Sequence, residues 1–315
     1  MIETHLQSRP SIVPGTWGSL LVLVGLILIG MAAGSIVGIL LISSIWGDAG
    51  ILTQIGTLEQ TPDFSAENWY KIILLQAIGH LLTFLVPSLL YWRLVERKPI
   101  GAFCLQSRDS YRSLIPIFFL TITLMPFTGL VAEWNESMVL PDALSGIEAW
   151  MKNSESSLAR LTDFLLSFHN TPELIIAIIV IAVIPAIGEE VLFRGILQRK
   201  LAEHWANVHV GIWTSAFLFS AIHFQFYGFL PRLFLGAMFG YLYFWTGQLS
   251  MAIFAHFINN SVTVLMMWMY RQQIISLDIA SSQAIPLWLG AASLIISSWL
   301  LRVVYKTPSE PSSQH

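Results

Sequence analysis

"ELIIAIIVIAVIPAIGEEVLFRGILQRK", residues 173–200, is the stretch on which the fold turns. Most of it is apolar enough to enter a bilayer, yet Glu189, Glu190 and Arg194 interrupt the run before it ends. A charged side chain at membrane depth costs about 2.5 to 3.5 kcal/mol on insertion scales, so such residues persist where pairing or function holds them. Residues four apart share a helix face, so Glu190 and Arg194 can pair, while Glu189, about 100° around the helix, stays outside that contact. One glutamate is then neutralised and the other is left to exchange a proton with water. Pro185 and Gly188 predict a kink just before the acids, with backbone carbonyls freed nearby. The plainer account of the same residues is two acids at the cytoplasmic interface with Arg194 snorkelling.

Outward from this stretch the chain keeps the same character. Of its residues 55% are hydrophobic and 11% charged, against about a quarter charged in a soluble domain. The composition predicts an all-α polytopic membrane protein. A span takes about 20 mostly apolar residues, and eight runs qualify, near residues 18–45, 72–92, 114–132, 173–195, 207–226, 230–246, 249–270 and 285–304. His223, Gln225 and Tyr227 break the fifth, and little separates it from the sixth, which leaves a re-entrant arrangement open. Small residues in "MAAGS", 31–35, resemble a signal cleavage site, but hydrophobicity continues beyond them and predicts an uncleaved span.

The organisation expected is three spans over 1–133, an extramembrane amphipathic segment over 134–172, a four-span core over 173–270, and a last span with a short disordered tail over 271–315. Within the amphipathic segment "LPDALSGIEAW" and "SSLARLTDFLLSF" read as two short helices, the second capped by Ser156 or Ser157. They lie against lipid headgroups or gate the substrate's access.

Basic residues cluster in two links, with Arg93, Arg97, Lys98, Arg108 and Arg112 in one and Arg194, Arg199 and Lys200 in the other, whereas 133–173 is dominated by acids. The positive-inside rule puts those links and both termini in the cytoplasm, with the protein in the cell membrane. A net charge of −3 argues against a nucleic-acid partner. The single Cys104 can form no internal disulfide.

Two further spans carry polar groups. "FLFSAIHF" sets His223 on the face of Phe219, and "AIFAHFINNSV" sets His256 and Asn260 on one face. A lone intramembrane histidine ordinarily packs between helices, but acid, imidazole and carboxamide groups on three spans make a site inventory. Glutamate and histidine can share a water, and histidine and asparagine can donate to a developing oxyanion. His80, in "QAIGHLLTF", has no acidic companion nearby in sequence and reads as a packing residue, and Asn259 as a neighbour of the site.

In order, "EEVLFR" at 189–194 matches Glu-Glu-x-x-x-Arg, "FSAIH" at 219–223 matches Phe-x-x-x-His, and "HFINN" at 256–260 matches His-x-x-x-Asn. Together they resemble the signature of the CAAX prenyl-protease type II family, also called CPBP or Abi, over roughly residues 173–270. The resemblance implies an intramembrane endopeptidase acting on a peptide or lipidated protein at the membrane, with its active-site cavity inside the helix bundle, open toward the cytoplasm or sideways to lipid. It gives Glu189 as the base that activates water with His223, Glu190, Arg194 and Phe219 as supports, and His256 with Asn260 as stabilisers of the tetrahedral intermediate. Bacterial relatives also serve in toxin immunity or as scaffolds, so a silent scaffold is a rival, and a proton-relaying transporter is another.

No cofactor is expected, since there is no His-Glu-x-x-His motif. The alternative is zinc held by Glu189, His223 and His256 across helices. One difficulty stands: at about 1.5 Å per residue, spans beginning at Glu173 and residue 207 leave Glu189 and His223 at different depths. It resolves if the fourth helix begins outside the membrane, the fifth begins in the cytoplasm, or the fifth and sixth are incomplete spans.

Overall fold

The computed structural model describes residues 15–47, 65–103, 110–168, 170–276 and 285–306. Cys104, Arg108 and the tail beyond Lys306 lie outside them. Nine helices and no strand are found among the described residues: α1 (Thr16–Trp46), α2 (Ala66–Val95), α3 (Leu114–Glu136), α4 (Ser145–Leu165), α5 (Thr171–His204), α6 (Val208–Ala221), α7 (Phe229–Thr246), α8 (Leu249–Arg271) and α9 (Leu287–Lys306).

Local chemistry sets several of the ends. Asn170 accepts from the backbone N–H of Glu173 at 2.9 Å and Pro172 occupies the first turn, so α5 starts with a side-chain cap and a residue that needs no N–H partner. Asn207 caps α6 in the same way, accepting from the N–H of His209 at 2.9 Å. Gly47 and Gly247 close α1 and α7 in the left-handed conformation, each with φ of 69°.

Six helices are long and apolar enough to cross a membrane: α1, α2, α3, α5, α8 and α9. Of the eight expected runs, six coincide with these long helices, and the fifth and sixth, the two in doubt from the sequence, coincide with the shorter α6 and α7. α6 has 14 residues and ends before His223, so His223 lies in the turn that follows rather than in a span. α5 has 34 residues, about 50 Å at the helical rise, well beyond the thickness of a bilayer core. A long α5 beside a short α6 removes the depth conflict, since neither helix has to start and stop at a membrane face.

Without a hydrophobic drive between helices in lipid, small residues must let backbones approach. On α1, a Cβ on Gly30 would stand 2.0 Å from the Leu82 carbonyl oxygen of α2, and one on Gly34 would stand 3.2 Å from the Gly79 Cα. α9 docks on α3 through hydroxyls: the backbone N–H of Phe127 donates to Ser293 Oγ at 3.1 Å, and Thr123 and Ser297 share a bond at 3.2 Å.

The 134–172 segment holds one amphipathic helix where two were expected. α4 runs unbroken from 145 to 165, because no glycine or proline interrupts the middle of the segment. Ser156 and Ser157 are interior residues, not caps; Ser156 Oγ donates to the Asn153 carbonyl at 2.8 Å. The C-terminal end of α4 buries Phe164 and Leu165 in the bundle, with Leu166 and Phe168 after it. The Leu165 carbonyl accepts from Trp69 Nε1 at 3.0 Å.

Candidate active site

The α5 helix is loosened where the acids sit. Pro185 has no N–H to offer the Ile181 carbonyl four residues before it, and wide π-type turns occupy Ile178–Val183 and Val191–Gln198 on either side of Ile184–Glu190. The freed Ile181 carbonyl accepts from Asn260 Nδ2 of α8 at 3.2 Å. A proline in one helix is thus matched by a carboxamide in the next, the usual remedy for freed backbone in a membrane.

Glu190 and Arg194 pair as their spacing predicts, with Nη1 donating to Oε1 at 2.6 Å and both side chains fully buried. Arg194 Nη2 donates to the Gly236 carbonyl of α7 at 2.7 Å. One helical turn on, Gln198 Nε2 donates to the Gly240 carbonyl at 3.1 Å, so α5 and α7 run in the same direction here. Glycine lets these side chains reach the carbonyls, since a Cβ on Gly240 would meet Gln198 Oε1 at 2.6 Å and Ile212 at 2.9 Å, and one on Gly236 would crowd Arg194 Nη2 at 3.2 Å. The guanidinium lies over the Phe219 ring at 4.6 Å and near that of Phe239 at 5.3 Å, so Phe219 supports the site through Arg194.

His256 reaches the same carboxylate. Its Nδ1 stands 2.8 Å from Glu190 Oε1, and a carboxylate accepts only, so the proton is assigned to Nδ1. The ring stacks on Phe239 with centroids 5.0 Å apart and planes 12° apart. Orientation by Glu190 and Phe239 turns Nε2 toward Glu189 Oε2, 3.9 Å away. A water off the line between the two atoms could bond to both.

Glu189 is not the free acid expected from the spacing. His80 Nε2 of α2 stands 2.7 Å from Glu189 Oε1, and His80 Nδ1 lies 3.3 Å from Gln76 Nε2. The expectation that His80 merely packs is overturned, because a partner 109 residues away in sequence leaves no local trace. One signal was available: Gln76 and His80 put two polar groups on one face of an apolar helix. Gly188 allows the approach, its position for a Cβ lying 3.2 Å from Phe84 Cβ.

These groups open on a cavity of about 490 Å³. Glu189, His80, His223, His256, Asn260, Asn259, Gln225 and Arg232 all contribute to its wall, beside Thr162 and Leu165 of α4. Asn259, set aside as a neighbour, therefore belongs to the lining, and its Nδ2 donates to Asn260 Oδ1 at 3.2 Å. His223 Nδ1 is held by the Phe219 carbonyl at 2.7 Å, and the next residue, Phe224, adopts a left-handed φ of 52° to complete the turn. Phe239 contributes to the wall, while Glu190 and Arg194 are fully buried outside the lining. Among the described residues no three His, Cys, Asp or Glu side chains converge as ligands to one ion, Glu189, His223 and His256 included.

Residues 171–262, from the start of α5 into α8, match the family described as type II CAAX prenyl endopeptidase, Rce1-like. The stretch is Rce1-like. It contains Glu189, Glu190, Arg194, His223, His256 and Asn260, while His80 and α4 lie outside it. Over 89 residues the chain is 35% identical to the uncharacterized protein YpbD of Bacillus subtilis (strain 168), a match covering 27% of the chain and 42% of that protein. The Rce1-like match thus rests on part of the chain, and the chain spans less than half the length of that relative. No solved structure matches.

Proposed function

We propose that the protein is an intramembrane endopeptidase, embedded in the cell membrane with both termini in the cytoplasm, that hydrolyses a peptide bond of a peptide or lipidated protein. Glu189 is the general base: it takes a proton from a water held between its Oε2 and His256 Nε2, and the resulting hydroxide attacks the scissile carbonyl. His80 fixes the carboxylate through its other oxygen. The oxyanion is met by His256 as the imidazolium, whose Nδ1–H stays on Glu190 while its Nε2–H donates first to the water and then to the oxyanion. Glu189 then passes the proton it took from water to the departing amine, with His223 across the cavity beside it. Asn260 acts by holding the loosened turn of α5, since its Nδ2 is engaged by the Ile181 carbonyl. Glu190 and Arg194 keep His256 in line.

The observation that carries the proposal is the Glu189 carboxylate flanked by two imidazoles, at 2.7 Å and 3.9 Å, in the wall of a cavity within an Rce1-like stretch. No metal is assigned a step. Zinc on Glu189, His223 and His256 remains the alternative, and a chelator decides between them.

The test is cleavage of farnesylated and plain peptides by detergent-purified protein. Wild type cuts at least one of them with chelator present, and Glu189→Gln, folded to the same extent, loses about a hundredfold to ten-thousandfold in rate. Loss of cleavage on chelation, restored by zinc, replaces the proposal with the metal alternative. Equal biological activity of wild type and Glu189→Gln supports the scaffold.

A further inference from the structure

The cavity extends from Glu189 in one direction only. On α5 its wall is made by Ile181, Pro185 and Glu189, all N-terminal to the buried Glu190. On α8, which runs the other way, the wall begins at His256 and continues toward the C-terminus as far as Val264. α2 contributes nothing beyond His80, and Thr162 of α4 stands at the far end. Toward the other end of α5 the path is shut: Glu190 and Arg194 are 0% exposed, and Gln198 is tied to Gly240.

Those two ends differ in charge. The closed end gathers Arg93, Arg97, Lys98, Arg199 and Lys200; Arg199 Nη1 donates to the Ala102 carbonyl at 2.9 Å, and Lys200 pairs with Glu96. Arg302 and Lys306 of α9 sit at the same end, as shown by the contact of Tyr305 with Trp245 near the end of α7. At the open end stand Glu133, Glu136, Asp142, Glu148, Glu155 and Asp163; of the cations there, Lys71, Lys152 and Arg271 are paired with Glu67, Glu148 and Asp163, Arg160 donates to Ser157 Oγ, and Arg232 lines the cavity and donates to Gln225. Basic residues near helix ends are retained on the cytoplasmic side.

We infer that the reaction cavity opens on the non-cytoplasmic face of the membrane. Water and substrate reach Glu189 from outside the cytoplasm, past α4. On the peptidase reading, the substrate class follows: a membrane-bound or exported polypeptide whose scissile bond lies on the outer side of the bilayer, not a chain terminus presented from the cytoplasm. The side of opening itself does not depend on that reading.

The experiment uses the full chain in bacterial protoplasts. The only cysteine is Cys104, so Cys104→Ser gives a background for single cysteines placed by Thr162→Cys and Asn259→Cys in the cavity and Arg97→Cys at the basic end. A membrane-impermeant maleimide is added before or after permeabilisation. Labelling of Thr162→Cys and Asn259→Cys in intact protoplasts, with Arg97→Cys labelled only after permeabilisation, is expected. The reverse pattern overturns the inference, and labelling of Thr162→Cys without Asn259→Cys overturns the claim that the opening reaches the site. A membrane-impermeant quenched peptide, offered to right-side-out and inverted vesicles, then tests the substrate side. Cleavage by right-side-out vesicles alone, absent in Glu189→Gln, is expected, and cleavage by inverted vesicles alone overturns it. Absence of cleavage in both would count against the peptidase reading and leave the labelling result to decide the side.

Discussion

Glu190 is the residue on which the site depends, although it is not the one assigned the chemistry. Its Oε1 receives both Arg194 and His256 while its Oε2 has no hydrogen-bond partner and is buried. A carboxylate so placed is tolerable only while its cations are present, because removing one partner of a buried pair typically costs about 3 to 5 kcal/mol. Arg194→Ala is therefore expected to lower the amount of folded protein and its thermal midpoint in detergent. Arg194→Lys is expected to do nearly the same, since an ammonium cannot serve Glu190, Gly236 and the two phenylalanine faces at once. Normal thermal stability in either variant would remove the pairing from the account. At His80 the expectation differs: His80→Ala leaves the fold intact and lowers kcat more than it changes KM, and His80→Gln, which can still donate to Glu189, keeps more of the rate. Steady-state kinetics of the two variants check this. The Glu190–Arg194 pair was legible because helical spacing makes partners of residues four apart. The His80–Glu189 pair was not, because it depends on how α2 lies against α5.

Among the elements, α1 and α4 make opposite demands. α1 lies so close to α2 that Gly30 has no room for a side chain. Gly30→Val is expected to cost about 1 to 3 kcal/mol through overpacking, read as a lower midpoint for loss of helical signal on heating. An unchanged midpoint would mean that the two helices are not held at this distance. α4 is held more lightly, by a buried C-terminal end and a few polar ties along its length. The Glu155 carboxylate accepts from the Tyr227 backbone N–H at 3.4 Å, and Trp150 meets Phe226 at 5.2 Å. Burial pushes the Glu155 carboxyl above the usual carboxylate range, against the pull of the Tyr227 N–H and Arg232. A raised folded value means that this docking is firmest below the ordinary carboxylate range and weakens as pH rises through the raised one. Glu155→Gln should therefore slow hydrogen exchange along α4 at neutral pH, and faster exchange would reverse the sign. The amphipathic character of this segment was plain in the sequence. Its continuity was not, because propensity does not say whether two short apolar stripes share one helix.

At the scale of the whole molecule, apolar runs marked the places of all the spanning helices, since length and hydropathy are what a bilayer selects. The polar break at His223, Gln225 and Tyr227 put the fifth run in doubt, but hydropathy alone did not fix where α6 ends, because its apolar residues pack on α7 and α5 as well as facing lipid. That end positions the site: a short helix brings the turn bearing His223 to the wall of the cavity made by α2, α5, α7 and α8. Around it two imidazoles and a buried ion pair hold in place the Glu189 carboxylate, the proposed base. The assignment of Glu189 as base rather than nucleophile is tested most directly by a single turnover in water carrying a heavy oxygen isotope. The heavy atom is expected in the new carboxylate of the product peptide and absent from Glu189. Heavy oxygen in the peptide containing Glu189, or a covalent acyl adduct trapped there, would contradict the account.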